Sequence, residues 1–529
     1  VSAPLDLAQE ALVPVDPATL QPVGRVAVTE PEGVAEAVAE ARLVQRAWAA
    51  RPLADRADLL RRVAREIVAD DLALAHRIVD ESGKPVVEAY THDLFVAVEA
   101  LGWLAGALDD ALGDRRLPFR QPVLLHKRGW VRHEPLGVVG IVAPWNFPIG
   151  LPLSQAATAV AAGNAVVLKP SELTPLSGVL IEELFRRAGA PAGLVRVVQG
   201  PGAVTGDALV SQPGIDAIVF TGSTATGRVV ARRAAERLCP ITLELGGKDP
   251  MIVLDDADLD RAVEGALWGS FANCGQVCSG VERIYVARAL LEPFVAALAA
   301  RAASLSIGDG HLPTTELGPL VTERQRRVVE DIVADAVEHG ASVVTGGNRP
   351  ATDLPGWFHE PTVLLGEPAS ARIRREEIFG PVVTVVEFDN DEEAVRRAND
   401  SRFALGASVW TRDRRRGRAV AARLSAGSVW LNDHAYSYGA AQAPWGGRGA
   451  SGMGRTHGRE GLTALSHVKY VDADRGRIRP GWWYPYSDAV LDGFRGILGG
   501  LYGDGLGPRL SALATHRAGV AHLVRKALS

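Results

Sequence analysis

The stretch from Gly137 to Leu245 carries five short apolar runs: Gly137-Val-Val-Gly-Ile-Val-Ala143, Ala165-Val-Val-Leu168, Leu194-Val-Arg-Val-Val198, Ala217-Ile-Val-Phe-Thr221 and Ile241-Thr-Leu-Glu-Leu245. Helical patterns separate them, over 151–162, 175–188, 204–210 and 226–238. Strands of almost unbroken apolar residues, alternating with helices, predict a parallel sheet covered on both faces, and so an α/β fold. Pro135 to Leu168 holds no charged residue and is long enough to cross a bilayer. Pro144, Pro148 and Pro152, with Asn146, Gln155 and Asn164, interrupt it, so strand, loop, helix and strand are expected there instead.

Toward the N-terminus, 34–69 reads as two amphipathic helices and 94–112 as a third, while 118–132 alternates as an exposed β-ribbon does. Toward the C-terminus, a second αβ region runs from Pro250 to about Gly449, with helices expected at 259–271, 290–304, 323–339, 392–399 and 415–424. Its strands are expected at 281–287, 342–345, 382–388 and 428–431. The last sixty residues differ, with Arg, Pro and aromatics over 475–486 and many glycines over 493–507.

The chain has 529 residues, 57 Lys+Arg against 62 Asp+Glu and a net charge of −5. That balance offers no general attraction to nucleic acid. A content of 47% hydrophobic and 22% charged residues is that of a folded globular chain. Residues 1–20 carry acids and prolines rather than a basic stretch before an apolar core, so no secretory leader is expected. Three cysteines, Cys239, Cys274 and Cys278, exclude a disulfide framework and a four-cysteine zinc site. No metal is expected, and the sparse thiols suit the cytoplasm. The cations are 51 Arg and only six Lys, which directs attention to each lysine.

Cys278 lies in Phe271-Ala-Asn-Cys-Gly-Gln-Val-Cys-Ser-Gly280, just before an apolar strand, a setting that suits thiolate chemistry. A small buried hydrophobe is the alternative reading, and the spacing does not choose between Cys278 and Cys274. Glu244 is a lone carboxylate between two leucines on a buried strand, costly unless it is ion-paired or functional. Gly246 and Gly247 beyond it admit close approach of a ligand or another backbone. Asn146, between Pro144 and Pro148, either caps a turn or donates its amide to a developing oxyanion.

Phe220-Thr-Gly-Ser-Thr-Ala-Thr-Gly227 follows a strand and opens a helix, so Gly222 and the helix N-terminus could hold a pyrophosphate. Neither the six-residue dinucleotide fingerprint nor a P-loop is met. Lys169-Pro-Ser-Glu172 follows a strand at the end where open α/β sheets bind ligands, or is simply a solvated strand end. In a cofactor site, its carboxylate suits two free ribose hydroxyls and repels a ribose phosphate, favouring NAD over NADP.

Nine segments in one order resemble the aldehyde dehydrogenase superfamily over residues 14–471. They are Asp16-Pro-Ala-Thr19, Glu81-Ser-Gly-Lys-Pro85, Pro144-Trp-Asn-Phe-Pro148, the Lys169 and Phe220 segments, Glu244-Leu-Gly-Gly-Lys248, Gly275-Gln-Val-Cys278, Glu376-Glu-Ile-Phe-Gly-Pro381 and Pro444-Trp-Gly-Gly447. The resemblance implies NAD-dependent oxidation of a small-molecule aldehyde to the free acid. Cys278 is then the nucleophile, forming a thiohemiacetal and a thioester; Asn146 and the Cys278 N–H hold the oxyanion, and Glu244 activates water. Lys169 and Glu172 are implied at the adenosine ribose, Gly222 and Ser223 near the pyrophosphate, and Glu377 and Phe379 at the nicotinamide ribose and ring. Trp145, Ser171, Gly202 and Leu245 are further implied cofactor contacts. The implied organisation is a Rossmann-like NAD-binding domain (1–115 and 136–246), a catalytic domain (247–450) and an oligomerisation ribbon (116–135 and 451–472). A C-terminal extension (473–529) follows, and the assembly expected is a homodimer or homotetramer.

Ser154 stands where many relatives carry a large aromatic, which implies a roomier tunnel. The segment from Asn432 to Pro444, with His434, Tyr436 and Tyr438, is slightly longer than usual. Ser451-Gly-Met-Gly-Arg455, with His457 and His467, resembles subgroups that take long-chain, aromatic or succinate semialdehydes. Arg448 is the best single candidate to hold a second carboxylate, or is a solvated loop residue. A medium aliphatic or aromatic aldehyde is the substrate expected, with succinate semialdehyde as the alternative and an NAD-binding scaffold as the non-enzymatic one. Beyond Val471, Gly481-Trp-Trp-Tyr-Pro-Tyr486 and an amphipathic helix over 489–501 are too short and interrupted to span a membrane. Packing over a neighbouring subunit's substrate entrance is expected ahead of a peripheral membrane anchor.

Overall fold

The computed structural model describes residues 10–119, 121, 124, 126–435, 439–474 and 479–528. The five apolar runs form a parallel sheet in the order Ile241–Glu244, Ala217–Thr221, Val138–Val142, Ala165–Lys169, Val195–Val197. Ala165–Lys169 and Ala217–Thr221 are buried at every residue, which is why their sequence does not alternate. Val138–Val142 has the second and fourth strands of the series as neighbours, so strand order reverses at its carboxyl end. That reversal opens the crevice in which such sheets bind ligands. The charge-free segment folds as strand, loop, helix Gly150–Ala161 and strand, as its prolines require. Among the described residues no helix is long and apolar enough to cross a membrane.

A second sheet has seven strands, in the order Ser342–Thr345, Thr362–Leu365, Val382–Phe388, Val281–Ala287, Asp249–Val253, Gly406–Trp410, Ser428–Leu431. All pairs are parallel except the first. Successive residues point to opposite faces. Met251, Val253, Ile284 and Val286 therefore enter one core, and Ile252 and Tyr285 the other. The strands Asp249–Val253, Thr362–Leu365 and Gly406–Trp410 and the helix Asp71–Ser82 were not among the elements expected. Asp249 and Pro250 disguise the first of these strands. The Asp249 carboxyl is buried there; the Gly406 N–H bonds it, its Oδ2 has no partner among the described residues, and burial raises it to about 8. The helix expected over 94–112 is preceded by a π-helical turn, Ala89–Phe95, and runs Val96–Leu112.

These two sheets lie in one compact unit, made of the described residues of 10–111 and 135–467. Gly452–Met453, a segment expected in the ribbon, instead forms an antiparallel edge against Leu243–Glu244. The described residues of 112–134 and 468–529 form the second unit. Its sheet places Lys127–Pro135 between Ser466–Asp474 and Arg115–Leu117, tied by the ion pairs Lys127–Asp472 (2.6 Å) and Lys469–Glu134 (2.9 Å). The C-terminal segment forms three helices, Asp488–Tyr502, Leu506–Thr515 and Arg517–Leu528, of which only the first was expected.

Candidate active site

The carboxyl ends of the parallel strands border a cleft of about 290 Å³. The loop after Val138–Val142 brings Trp145 and Asn146; the ends of Ala217–Thr221 and Ile241–Glu244 bring Gly222, Ser223, Glu244 and Leu245. The second sheet contributes Cys278, ahead of Val281–Ala287, and Glu377 and Phe379, ahead of Val382–Phe388. Nine of the expected residues thus line one cleft. The other four gather at the end of Ala165–Lys169. Lys169 Nζ donates to Glu172 Oε2 at 2.8 Å, and the Gly202 N–H bonds the same carboxylate. Burial alone would raise Glu172, yet the Lys169 charge and these hydrogen bonds hold it below the ordinary carboxylate range. The Ser171 hydroxyl accepts the Leu173 N–H at 3.2 Å and shapes the turn.

Cys278 follows a strained bend. Asn273 and Cys274 have φ of 51° and 54°, and Gly275 has φ of 69°. A Cβ on Gly275 would stand 2.1 Å from the Gly380 carbonyl oxygen, so only glycine fits between the two loops. Gln276 clamps the bend, its Nε2 donating to Asn273 O at 3.1 Å and its Oε1 accepting the Val321 N–H at 2.9 Å. Cys274 is buried in the apolar core, whereas Cys278 is half-buried and faces the cleft. Burial first, then the carboxyls of Glu244, Asp249 and Glu377, push the Cys278 thiol above its ordinary range. The Ser279 N–H acts the other way, favouring the thiolate.

Glu244 is buried, and burial pushes its carboxyl well above the ordinary range. Two groups from the segment after Pro444 oppose this: the Arg455 charge and a hydrogen bond from Trp445. Pairing of Gly452 opposite Glu244 carries that segment past the carboxyl. Glu244 Oε1 has no protein partner and is left for a ligand or water. Gly246 and Gly247 are explained by what lies against them. A Cβ on Gly246 would sit 2.1 Å from Glu377 Oε2, and one on Gly247 the same distance from the Cys278 carbonyl oxygen. The Gly247 N–H donates to Glu377 Oε1 at 3.0 Å. Burial and the neighbouring Glu282 nevertheless raise Glu377 to about 8.

Asn146 Nδ2 donates to the Gln276 carbonyl at 2.9 Å, which fixes the amide plane and leaves its second hydrogen available. The Asn146 backbone carbonyl accepts from Lys84 Nζ at 2.6 Å and from Asn273 Nδ2 at 2.9 Å. Lys84 is wholly buried, paired with Asp93 Oδ2 at 2.8 Å; Asp93 Oδ1 accepts the Ile149 and Gly150 N–H groups. Lys84, Asp93, Asn273, Trp445 and Arg455 were not among the expected site residues. The scarcity of lysine flagged the first of them, and nothing local flags its carboxylate nine residues away. Lys248 Nζ, also buried, pairs with Glu282 at 2.6 Å, and Glu282 accepts the Ile378 and Phe379 N–H groups, holding Phe379 at φ 53°. Phe379 packs edge-on to Trp145, ring centres 5.5 Å apart.

Ser154 is buried with its hydroxyl on Gly150 O. His434 is buried too, its Nε2 2.7 Å from the Ser279 carbonyl and its Nδ1 3.0 Å from Ser408 Oγ, which ties its loop to the residue after Cys278. Tyr436 and Tyr438 lie outside the described residues. Arg448 is exposed on the short strand Arg448–Gly449 and does not line the cleft. Among the described residues no group of three or more His, Cys, Asp or Glu is placed to hold a metal ion.

The sequence profile described as "Aldehyde dehydrogenase family" matches residues 6–471. A Mycolicibacterium smegmatis protein named as a succinate-semialdehyde dehydrogenase of the NADP(+) type is 39% identical over 459 residues, 85% of this chain and 87% of the relative. A betaine aldehyde dehydrogenase of Cereibacter sphaeroides is 39% identical over 476 residues, 90% of this chain and 96% of the relative. The NAD+ complex of an aldehyde dehydrogenase from Bacillus cereus superposes with a TM-score of 0.83 at 38% identity, covering 88% of this chain and 93% of that one. An aldehyde dehydrogenase of Mycobacterium tuberculosis complexed with NAD+ gives 0.83 at 35% identity, covering 88% and 95%. With the profile spanning most of its length and relatives this similar end to end, the chain belongs to the aldehyde dehydrogenase family of NAD(P)-dependent oxidoreductases.

Proposed function

We propose that the chain oxidises a medium aliphatic or aromatic aldehyde to its carboxylic acid, using NAD. The observation that carries this reading is the meeting of Cys278, Glu244 and Asn146 in one cleft with an unpartnered carboxyl oxygen on Glu244. A nicotinamide dinucleotide suits the residues present. The Glu172 carboxylate, kept ionised beside Lys169, is a ribose-hydroxyl acceptor that disfavours a ribose phosphate. The helix Thr224–Glu236 opens at Ser223, where the helix dipole and free N–H groups would hold a pyrophosphate. Glu377 and Phe379 would receive the nicotinamide end, and the bound cofactor supplies a hydride acceptor. NAD is therefore favoured here, although one relative carries NADP(+) in its name.

The Cys278 thiolate, its proton lost to solvent, adds to the aldehyde carbon. The oxyanion so formed accepts the free Asn146 amide hydrogen and the Cys278 N–H, one such donor being worth about 10²–10³ in rate. After the carbon has lost its hydride, the resulting thioester is hydrolysed by a water that Glu244 deprotonates, which releases the acid and the free thiol. Both proton acceptors sit above their ordinary ranges, so the reactive forms gain as pH rises. Succinate semialdehyde is the second reading, favoured by the name of the Mycolicibacterium relative. The exposed position of Arg448, outside the cleft, weighs against it. Three free thiols suit a reducing cytoplasm. The edge strand Ser466–Asp474, with Val468 and Tyr470 exposed, suits pairing into a homodimer or homotetramer. The test is a kcat/KM panel of aliphatic, aromatic and carboxylated aldehydes with NAD and with NADP, read as NAD(P)H absorbance. Turnover restricted to succinate semialdehyde, or a preference for NADP, would replace this reading.

A further inference from the structure

Residues 475–529 carry eight Arg+Lys against three Asp, a net of +5 in a chain whose net charge is −5. The three helices of this segment pack through glycines. A Cβ on Gly493 would lie 2.4 Å from the Gly519 carbonyl oxygen, and one on Gly496 2.7 Å from His516 Cβ. Val490 and Leu523 are buried between the helices, while other large apolar side chains face out. Leu491, Leu498 and Tyr502, spaced by seven and four, form one exposed stripe on Asp488–Tyr502. Leu506 (76% exposed), Leu510 (59%) and Leu513 (40%) form another on Leu506–Thr515, a helix with no buried residue at all. Before the helices, Trp483 and Tyr484 are exposed at 55% and 74%, displayed by a loop whose Gly481 and Pro485 carbonyls accept from Lys526 Nζ.

The same three helices carry arginines. Arg495, Arg509, Arg517 and Arg525 are all exposed and have no carboxylate partner among the described residues. Unpaired guanidinium groups together with exposed Leu, Trp and Tyr have the composition of an interfacial helix on anionic lipid, in which apolar side chains enter the acyl boundary and arginines bind phosphate. The helices, of ten to fifteen residues, are too short to span. We propose that the C-terminal three-helix segment is a peripheral docking surface for an anionic lipid bilayer. This takes the second of the two readings open from sequence, on the cations that all three helices supply together.

The test is flotation of the full-length enzyme with vesicles of phosphatidylcholine alone, or with about one-third phosphatidylglycerol, at low and high salt. The enzyme should float with the anionic vesicles and not with the neutral ones, and high salt should release part of it. Arg495→Gln should weaken partition about fivefold, the loss expected for one surface cation. Leu506→Ser/Leu510→Ser should abolish flotation, and because that helix buries nothing, the variant keeps its oxidoreductase activity as a check of folding. Equal or absent binding to both vesicle types overturns the proposal. So does a fall in sedimenting mass in the double variant, which would make the surface a contact between copies.

Discussion

Lys84→Met tests whether the Asn146 backbone, and with it the side-chain amide, is positioned by the buried cation bonded to its main-chain carbonyl. Two effects follow from the geometry. Asp93, with no exposed side-chain surface, loses its paired cation, and leaving one partner of a buried pair costs about 3–5 kcal/mol. The Asn146 backbone carbonyl loses its 2.6 Å donor and keeps the 2.9 Å bond from Asn273. A whole oxyanion donor is worth about 10²–10³ in rate, and loosening one without deleting it should lower kcat about 10- to 100-fold. The two effects separate in Lys84→Met/Asp93→Asn. An amide oxygen at position 93 still accepts the Ile149 and Gly150 N–H groups while the unpaired charge is gone. Urea unfolding followed by Trp fluorescence should show most of the lost stability regained, and steady-state kinetics should show kcat still depressed with KM changed much less. Recovery of kcat together with stability would refute the positioning role and leave Lys84 a purely structural residue.

Cys278→Ala should abolish aldehyde oxidation, whereas Cys274→Ala, truncating a core thiol, should lower stability by about 1 kcal/mol and keep most of the activity; equal loss of activity in both is the contrary result. Arg455→Gln removes the cation that draws the Glu244 carboxyl down, so the rising limb of the kcat–pH profile should move to higher pH. An unmoved limb would show that another group titrates there. Glu172→Gln takes a negative charge from the ribose position beside Lys169 and should raise the NADP-to-NAD ratio of kcat/KM at least about tenfold, as charge repulsion is lifted.

The parallel sheet was legible because strands buried on both faces must be continuously apolar, and Ala165–Lys169 and Ala217–Thr221 are. Asp249–Val253 escaped for the opposite reason: a buried Asp and a Pro stand at its start, and the Gly406 N–H that bonds the Asp comes from far along the chain. The site shows the same division. Glu244 betrayed itself as a charge on an apolar strand, and Gly246 and Gly247 as a place for close approach. The groups that tune them, Arg455, Trp445 and the Lys84–Asp93 pair, come from distant segments and have no local signature. The C-terminal helices were hidden by their glycines, which read as loop but serve as packing surfaces between Asp488–Tyr502 and Arg517–Leu528.

The central claim is that Cys278 carries the substrate as a thioester that Glu244 helps to hydrolyse. Rapid mixing of Glu244→Gln with aldehyde and NAD, followed by absorbance and by intact mass, tests it most directly. A burst of about one NADH per active site is expected, then a stall, with the acyl mass localised to Cys278. A linear time course at the wild-type rate, with no acyl adduct, would contradict it.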